Sequence, residues 1–267
     1  MGFAITWSCL YGNRTMSDTN EKNLIGLSET NLDQPICRTY AKKWFLPIFT
    51  SKTDALRNPS TWDDPFENFF LKRTRVEIGP GEFADLESLA RDWYGQCWTI
   101  NSDTDAMWRI YRADKAGVQA KTTIRKLFDN LKRLSSAAPR LQFFVGRVEY
   151  VAEAEIIKTM SKLTFMDIAH GGQGDRFASL LCIKREAFQH EAEARLLFQD
   201  FDPKQGMNET LVYPLDPNVV FEEIVIDPRL NDKDAAALTA ELRSAGCTLP
   251  IRRSELYRSP IFTIPAQ

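Results

Sequence analysis

The sequence predicts an α+β fold, a single domain of mixed and antiparallel sheets with flanking helices, and three observations carry that prediction. Segments with strand-like alternation (Phe143, Val145, Val148, Tyr150) are interleaved with segments of helical period (Ile124, Leu127, Phe128, Leu131). The two kinds do not follow each other in the regular rhythm of a doubly wound sheet. The 267 residues are 43% hydrophobic and 11% aromatic, enough apolar mass for a full core.

The elements follow in order. Residues 1–34 are rich in Asn, Ser and Thr and only weakly periodic after an apolar start, so they predict a flexible leader. The folded domain is expected over 35–267. Residues 36–49 are aromatic and strand-like, and 51–58 predict a short helix or turn ending before Pro59. Phe83, Leu86, Leu89 and Trp93 are spaced for a helix over 81–93, and the second helical pattern covers 120–134. Between them, 96–100 reads as a strand and 107–111 as a helical turn. A strand over 141–151, a helix over 153–164 and a glycine turn at 171–174 come next. Residues 177–188 are apolar and fit either state. Strands are expected at 192–200 and 222–227, then a helix over 232–245 closed by Gly246 at the position that favours a left-handed residue.

Several function classes are excluded. With 34 Lys and Arg against 36 Asp and Glu, bulk charge gives no pull toward polyanions. The apolar runs at 44–49 and 177–183 are far below the roughly 20 residues of a membrane-spanning helix. Residues 1–11 lack a basic flank and a small-residue cleavage site, so a cytoplasmic chain is expected. Cys9, Cys37, Cys97, Cys182 and Cys247 are scattered and contain no CxxC, which fits reduced thiols better than a disulfide frame or zinc site. No phosphate loop of standard spacing and no GxSxG occurs, and His170 and His190 are the only histidines.

Four local groupings remain. Trp62, Asp63, Asp64, Pro65, Phe66 and Glu67 set three carboxylates among aromatics; Asp64 and Pro65 also suit a helix start. Residues 95–111 carry Trp98, Trp108, Arg109 and Tyr111, which suit either a core or the stacking of a flat ring. On a strand, Glu191, Glu193 and Arg195 share one face, either a solvated edge or a site. Lys121, Arg125, Lys126, Lys132, Arg133 and Arg140 form a basic stretch.

Taken together, these blocks resemble the DUF2971 family of uncharacterised bacterial proteins. The residues that carry the resemblance are Arg38-Thr39-Tyr40, the run from Pro59 to Asn68, Gly95-Gln96-Cys97-Trp98-Thr99 with Ser102-Asp103 and Met107-Trp108-Arg109-Ile110-Tyr111, the run from Gly146 to Tyr150, His190-Glu191-Ala192-Glu193-Ala194-Arg195 and Arg253-Ser254-Glu255-Leu256-Tyr257. Arg38, Ser60-Thr61 and Glu191-Ala192-Glu193 are also similar, in order, to the arginine, Ser-Thr-Ser and Glu-x-Glu elements of arginine-type ADP-ribosyltransferases. Trp62 replaces the last serine. That resemblance implies a split sheet and NAD as substrate, bound through Arg38, Ser60, Thr61, Trp108 and Tyr111. It implies that Glu193 stabilises an oxocarbenium-like transition state, that Glu191 orients an acceptor in protein or nucleic acid, and that no metal is needed. By analogy such an enzyme would be a toxin or phage-defence effector with a neutralising partner.

Two rival readings stay open. Asp63, Asp64, Glu67, Glu191 and Glu193 could hold Mg²⁺ in a nuclease or phosphotransferase, with Lys184 or Arg195 facing phosphate. The basic stretch could instead dock nucleic acid or an acidic partner without catalysis.

Overall fold

A computed structural model describes residues 21–62, 75–85, 91–112, 114–138, 141–162, 174–201 and 208–265. In chain order the strands are β1 (Leu24–Ile25), β2 (Pro35–Ala41), β3 (Thr53–Arg57), β4 (Arg75–Gly79), β5 (Glu82–Asp85), β6 (Trp93–Thr99), β7 (Gly117–Thr123), β8 (Leu141–Arg147), β9 (Glu149–Val151), β10 (Ile183–Arg185), β11 (Glu193–Asp200), β12 (Thr210–Pro214), β13 (Glu223–Ile226) and β14 (Ile251–Arg253). The helices are α1 (Lys42–Ser51), α2 (Asp105–Tyr111), α3 (Ile124–Ala137), α4 (Glu153–Met160), α5 (Asp175–Leu180), α6 (Pro217–Val220) and α7 (Asp232–Ser244). The class is α+β, with parallel and antiparallel pairing and flanking helices. Contacts divide the chain into two compact units, one drawn from 1–36, 54–100 and 123–214 and the other from 37–53, 101–122 and 215–267. Among the described residues no helix is long and apolar enough to cross a membrane.

In the first unit the sheet runs β1-β8-β11-β6, with β3 beside β6 and β12 beside β3. β11 is antiparallel to both β6 and β8, and all but one of its residues are buried. Its run Leu196, Leu197, Phe198 is the near-continuous apolar pattern of a strand covered on both faces. Trp93 of β6 stacks on Phe144 (5.7 Å between centroids) and Phe177 (4.9 Å), and Ile25, Ala178, Leu181, Cys182 and Leu197 pack in the same cluster. α3 begins at Thr123, whose hydroxyl accepts from the Lys126 N–H, and buries Ile124, Leu127, Phe128 and Leu131. β9 and β10 form a separate parallel pair with Lys184 opposite Tyr150.

Gly146 lies where β8 meets β1 and the chain around Cys182. A Cβ there would collide with Cys182 Sγ and come within 3.1 Å of Ile25 Cβ. Gly146→Ala is therefore expected to cost roughly 1–3 kcal/mol by overpacking. A lower urea midpoint at unchanged slope is the measurement, and an unchanged midpoint would refute the close approach.

The second unit has a sheet in the order β2-β7-β13-β14. Phe45, Ile48 and Phe49 form the buried stripe of α1, and Phe45 stacks on Phe221 at 6.1 Å. α7 is capped by Asn231, which accepts from the Asp234 N–H at 2.8 Å, and Gly246 follows it with φ of 97°.

Some boundaries differ from expectation. The leader does not extend to residue 34: Leu24 and Ile25 pair with Val145 and Gly146, and Leu27 and Leu32 are buried too. Residues 36–49 are not one strand, because β2 ends at Ala41 and the i, i+3, i+4 spacing of Phe45, Ile48 and Phe49 takes over. Residues 53–57 form β3 rather than a helix or turn. The helix expected over 81–93 is replaced at its start by a hairpin, where Pro80-Gly81 (φ 79° at Gly81) turns β4 into β5 and leaves Phe83 exposed. At its end Trp93 opens β6. The helix expected from Ala120 starts at Ile124, because β7 runs through Thr123.

Candidate active site

The chain leaves β10, makes a 3-10 turn over Glu186–Glu191 and enters β11 through Ala192, which adopts φ of 42°. That left-handed conformation is costly for alanine. It is held on both sides: the Ala192 N–H donates to the Gln189 carbonyl at 3.2 Å and its carbonyl accepts from the Ile100 N–H at 3.0 Å. The kink brings Glu191, at the end of the turn, and Glu193, at the start of β11, to one ammonium. Lys184 Nζ lies 2.7 Å from Glu191 Oε2 and 2.7 Å from Glu193 Oε1.

Glu193 has a second cation, with Arg195 Nε 2.8 Å from its Oε2. Arg195 also donates to the Leu181 carbonyl at 2.6 Å, and its guanidinium lies 4.6 Å from the centre of the Trp62 ring. Lys184 lies 4.9 Å from the Phe188 ring centre. The backbone around the pair is fixed as well. The Glu193 N–H donates to the Tyr150 hydroxyl at 2.8 Å, and the Thr99 hydroxyl donates to the Glu191 carbonyl at 2.5 Å. All four charged residues are buried, from 1% exposure at Arg195 to 7% at Lys184 and Glu191.

Burial would push both carboxyls up, but the surroundings separate them. At Glu193 the opposing charge of Arg195, with the hydrogen bond from Glu191 and the charge of Lys184, outweighs burial and holds the carboxyl far below the usual range. At Glu191 burial and the neighbouring Glu193 dominate over Lys184, and the carboxyl is pushed up to about 7. Burial also pushes the Tyr150 phenol up and the Cys182 thiol to about 12, so neither is a ready proton donor or nucleophile near neutrality. The result is a fixed carboxylate beside one that changes charge near pH 7.

The solvated edge strand considered for Glu191, Glu193 and Arg195 is overturned, because β11 lies between β6 and β8 and all three side chains are buried. Ser60 and Thr61 belong to the same unit but stand in a 3-10 turn after β3, not at a strand start. The Ser60 N–H donates to Asn58 Oδ1 at 2.9 Å and the Thr61 hydroxyl to the Asn58 carbonyl at 2.8 Å. Trp62, the departure from the Ser-Thr-Ser pattern, is the residue that reaches the cluster.

Arg38, Trp108 and Tyr111 belong to the second unit. Arg38 is half-buried on β2, its guanidinium 5.2 Å from the Tyr40 ring centre. Trp108 is fully buried; its indole N–H donates to Asp103 at 3.0 Å and its carbonyl accepts from Arg229 at 2.9 Å. Its expected role as a stacking platform is corrected to a core residue with no open ring face. Tyr111 is exposed at 43%.

Asp63, Asp64 and Glu67 lie outside the described residues, as do His170 and Gly171 to Gln173. Of the carboxylates in the metal reading, Glu191 and Glu193 face Lys184 and Arg195, so a divalent cation would have to displace bound cations. Among the described residues no group of three or more His, Cys, Asp or Glu side chains is placed to hold a metal. In the basic stretch Lys121 pairs with Glu223 at 3.1 Å and Arg125 with Asp33 at 2.6 Å, which ties down part of its charge.

Sequence reasoning named Lys184 only as a phosphate contact and missed it as the partner of both glutamates. The available signal was chemical: two carboxylates on one face of an apolar strand need more than one cation.

No family model and no curated protein matches the chain. Among solved structures it is similar to DarT of Thermus sp. 2.9. The complex with ADP-ribosylated ssDNA has a TM-score of 0.38 at 12% identity, covering 84% of this chain and 96% of that one. The complex with NAD+ has a TM-score of 0.37 at 11% identity, covering 84% and 98%. The complex with carba-NAD+ has a TM-score of 0.38 at 11% identity, covering 86% and 100%. Likeness at this distance carries no assignment of activity.

Proposed function

We propose that this chain is an ADP-ribosyltransferase-like enzyme that consumes NAD+. The observation that supports it is the Glu191/Glu193 pair, two buried carboxylates two residues apart, one held ionised by Arg195 and Lys184 and the other near neutrality. Pairs whose environments drive their charge states apart are how one site carries two roles at a single pH.

Cleavage of the nicotinamide–ribose bond sends the bonding electrons to the pyridinium nitrogen, releasing neutral nicotinamide and leaving positive charge on the ribose. Glu193, as a fixed anion, holds a ribose hydroxyl and stabilises that charge. An acceptor hydroxyl, amine or base nitrogen, or water, attacks the ribose carbon and gives its proton to Glu191. With water as acceptor the products are nicotinamide and ADP-ribose. A toxin or defence role and a neutralising partner rest on the family resemblance alone.

The test is purified protein with NAD+ labelled in the nicotinamide and, separately, in the adenylate, with and without cell lysate. Nicotinamide release that depends on Glu193 is the expected result. No release under either condition, or equal release by Glu193→Gln, would sink the reading.

A further inference from the structure

Lys184 is the hinge of the cluster. It enters from β10, opposite Tyr150 of β9, and its ammonium touches an oxygen of each carboxylate, at 2.7 Å in both cases. The arrangement is asymmetric. Glu193 receives Arg195 as a second cation, whereas among the described residues Glu191 is ion-paired with Lys184.

We propose that Lys184 is a positioning residue whose one ammonium holds both carboxylates side by side and lets Glu191 give up its proton next to Glu193, with Glu193 the permanent anion that Arg195 also pairs and Glu191 the group that takes the acceptor's proton. This rests on the function proposed above for its activity arm only. The proton passes from the acceptor O–H or N–H to a Glu191 oxygen and from there to solvent, so the carboxylate is restored each turnover.

The charged and titratable groups on the surrounding elements are few. β9 carries Tyr150 and Glu149, β10 carries Lys184 and Arg185, and the 3-10 turn carries Glu186 and His190. β11 carries Glu193, Arg195 and Asp200, β6 beside it carries Tyr94 and Cys97, β8 ends in exposed Arg147, and Cys182 precedes β10. Arg185 turns aside, its guanidinium 5.2 Å from the Phe188 ring centre and 3.8 Å from Glu153. Removing Lys184 would leave Glu191 buried beside an anion whose own partner, Arg195, stays in place. A like charge without compensation raises a carboxyl by roughly one to three pH units.

The experiment is a carboxyl carbon-13 NMR titration of the full chain labelled at glutamate. It compares wild type, Lys184→Met, Lys184→Arg and Glu191→Gln, beside the pH profile of nicotinamide release. In wild type one resonance is expected to titrate at about 7 and to vanish in Glu191→Gln, while Glu193 stays ionised. Lys184→Met should raise the Glu191 midpoint by roughly one pH unit or more, and Lys184→Arg should bring it back toward wild type.

A Glu191 midpoint that does not move in Lys184→Met overturns the proposal. If that variant does not fold, a near-neutral titration that survives Glu191→Gln overturns it instead. Release should rise with pH through the Glu191 midpoint and shift with it in Lys184→Met. Absence of release in wild type removes the proposed function and leaves the NMR assignment standing. Release whose pH limb ignores the NMR midpoint removes the role of Lys184 and leaves the function standing.

Discussion

Glu193→Gln is expected to reduce nicotinamide release by on the order of 10²–10³-fold, the usual effect of deleting one preorganised electrostatic group from a transition state. Glutamine keeps the shape and one acceptor oxygen but carries no charge. The loss should therefore fall on the step in which positive charge develops on the ribose, lowering kcat and kcat/KM together with little change in KM. A merely structural glutamate would behave otherwise. Its removal would leave Lys184 and Arg195 facing Glu191 alone, an excess of buried positive charge, and would cost about 1–3 kcal/mol of stability without a selective effect on turnover. The assay is accordingly made well below the variant's melting temperature, with near-ultraviolet circular dichroism as the check on packing. Release within a few-fold of wild type by a folded Glu193→Gln protein would show that Glu193 only supports the sheet.

How far these features were legible in the sequence depends on whether the decisive interaction is local. The helix over Asp232–Ser244 was readable because Asn231, the apolar positions and Gly246 all lie within one short window. β11 and β13 were readable from their apolar runs. The division of residues 36–49 into β2 and α1 was not, since aromatic and β-branched residues favour a strand while Phe45, Ile48 and Phe49 also fit one helical stripe, and packing on Phe221 decides between them. The hairpin at Pro80-Gly81 was signalled by its turn residues but outweighed by an accidental helical period. At the site, Glu191, Glu193 and Arg195 could be grouped by spacing. Lys184 and Trp62 could not be added to them, because a 3-10 turn and a left-handed alanine fold the chain back between Lys184 and Glu193, and Trp62 comes from a segment far away in sequence. Trp108 failed for the opposite reason: an aromatic with a nearby arginine reads the same in a core and in a binding site until burial is known.

Arg195→Leu is expected to destabilise the protein by roughly 3–5 kcal/mol, the range for removing one partner of a buried ion pair. Leucine fills much of the volume but leaves Glu193 Oε2 and the Leu181 carbonyl without their donor and the Trp62 ring without its cation. Most of the loss is the charge of Glu193, left to share Lys184 with Glu191, so Arg195→Leu with Glu193→Leu should cost less than the two single changes added together, by about 1 kcal/mol or more. The sign with pH follows from the folded carboxyl, which lies below its unfolded value of about 4.3. In wild type that group contributes stability above the unfolded value, and the contribution is lost as pH falls through the carboxylate range. Without Arg195 most of this contribution disappears, so the gap between wild type and Arg195→Leu should be widest near pH 7 and narrow on acidification. Urea unfolding at pH 7 and at pH 3, below the unfolded carboxyl's value, measures both effects. Additivity of the two leucine changes within about 0.5 kcal/mol, or a gap that widens in acid, would mean that the guanidinium serves the Leu181 carbonyl and the Trp62 ring rather than Glu193.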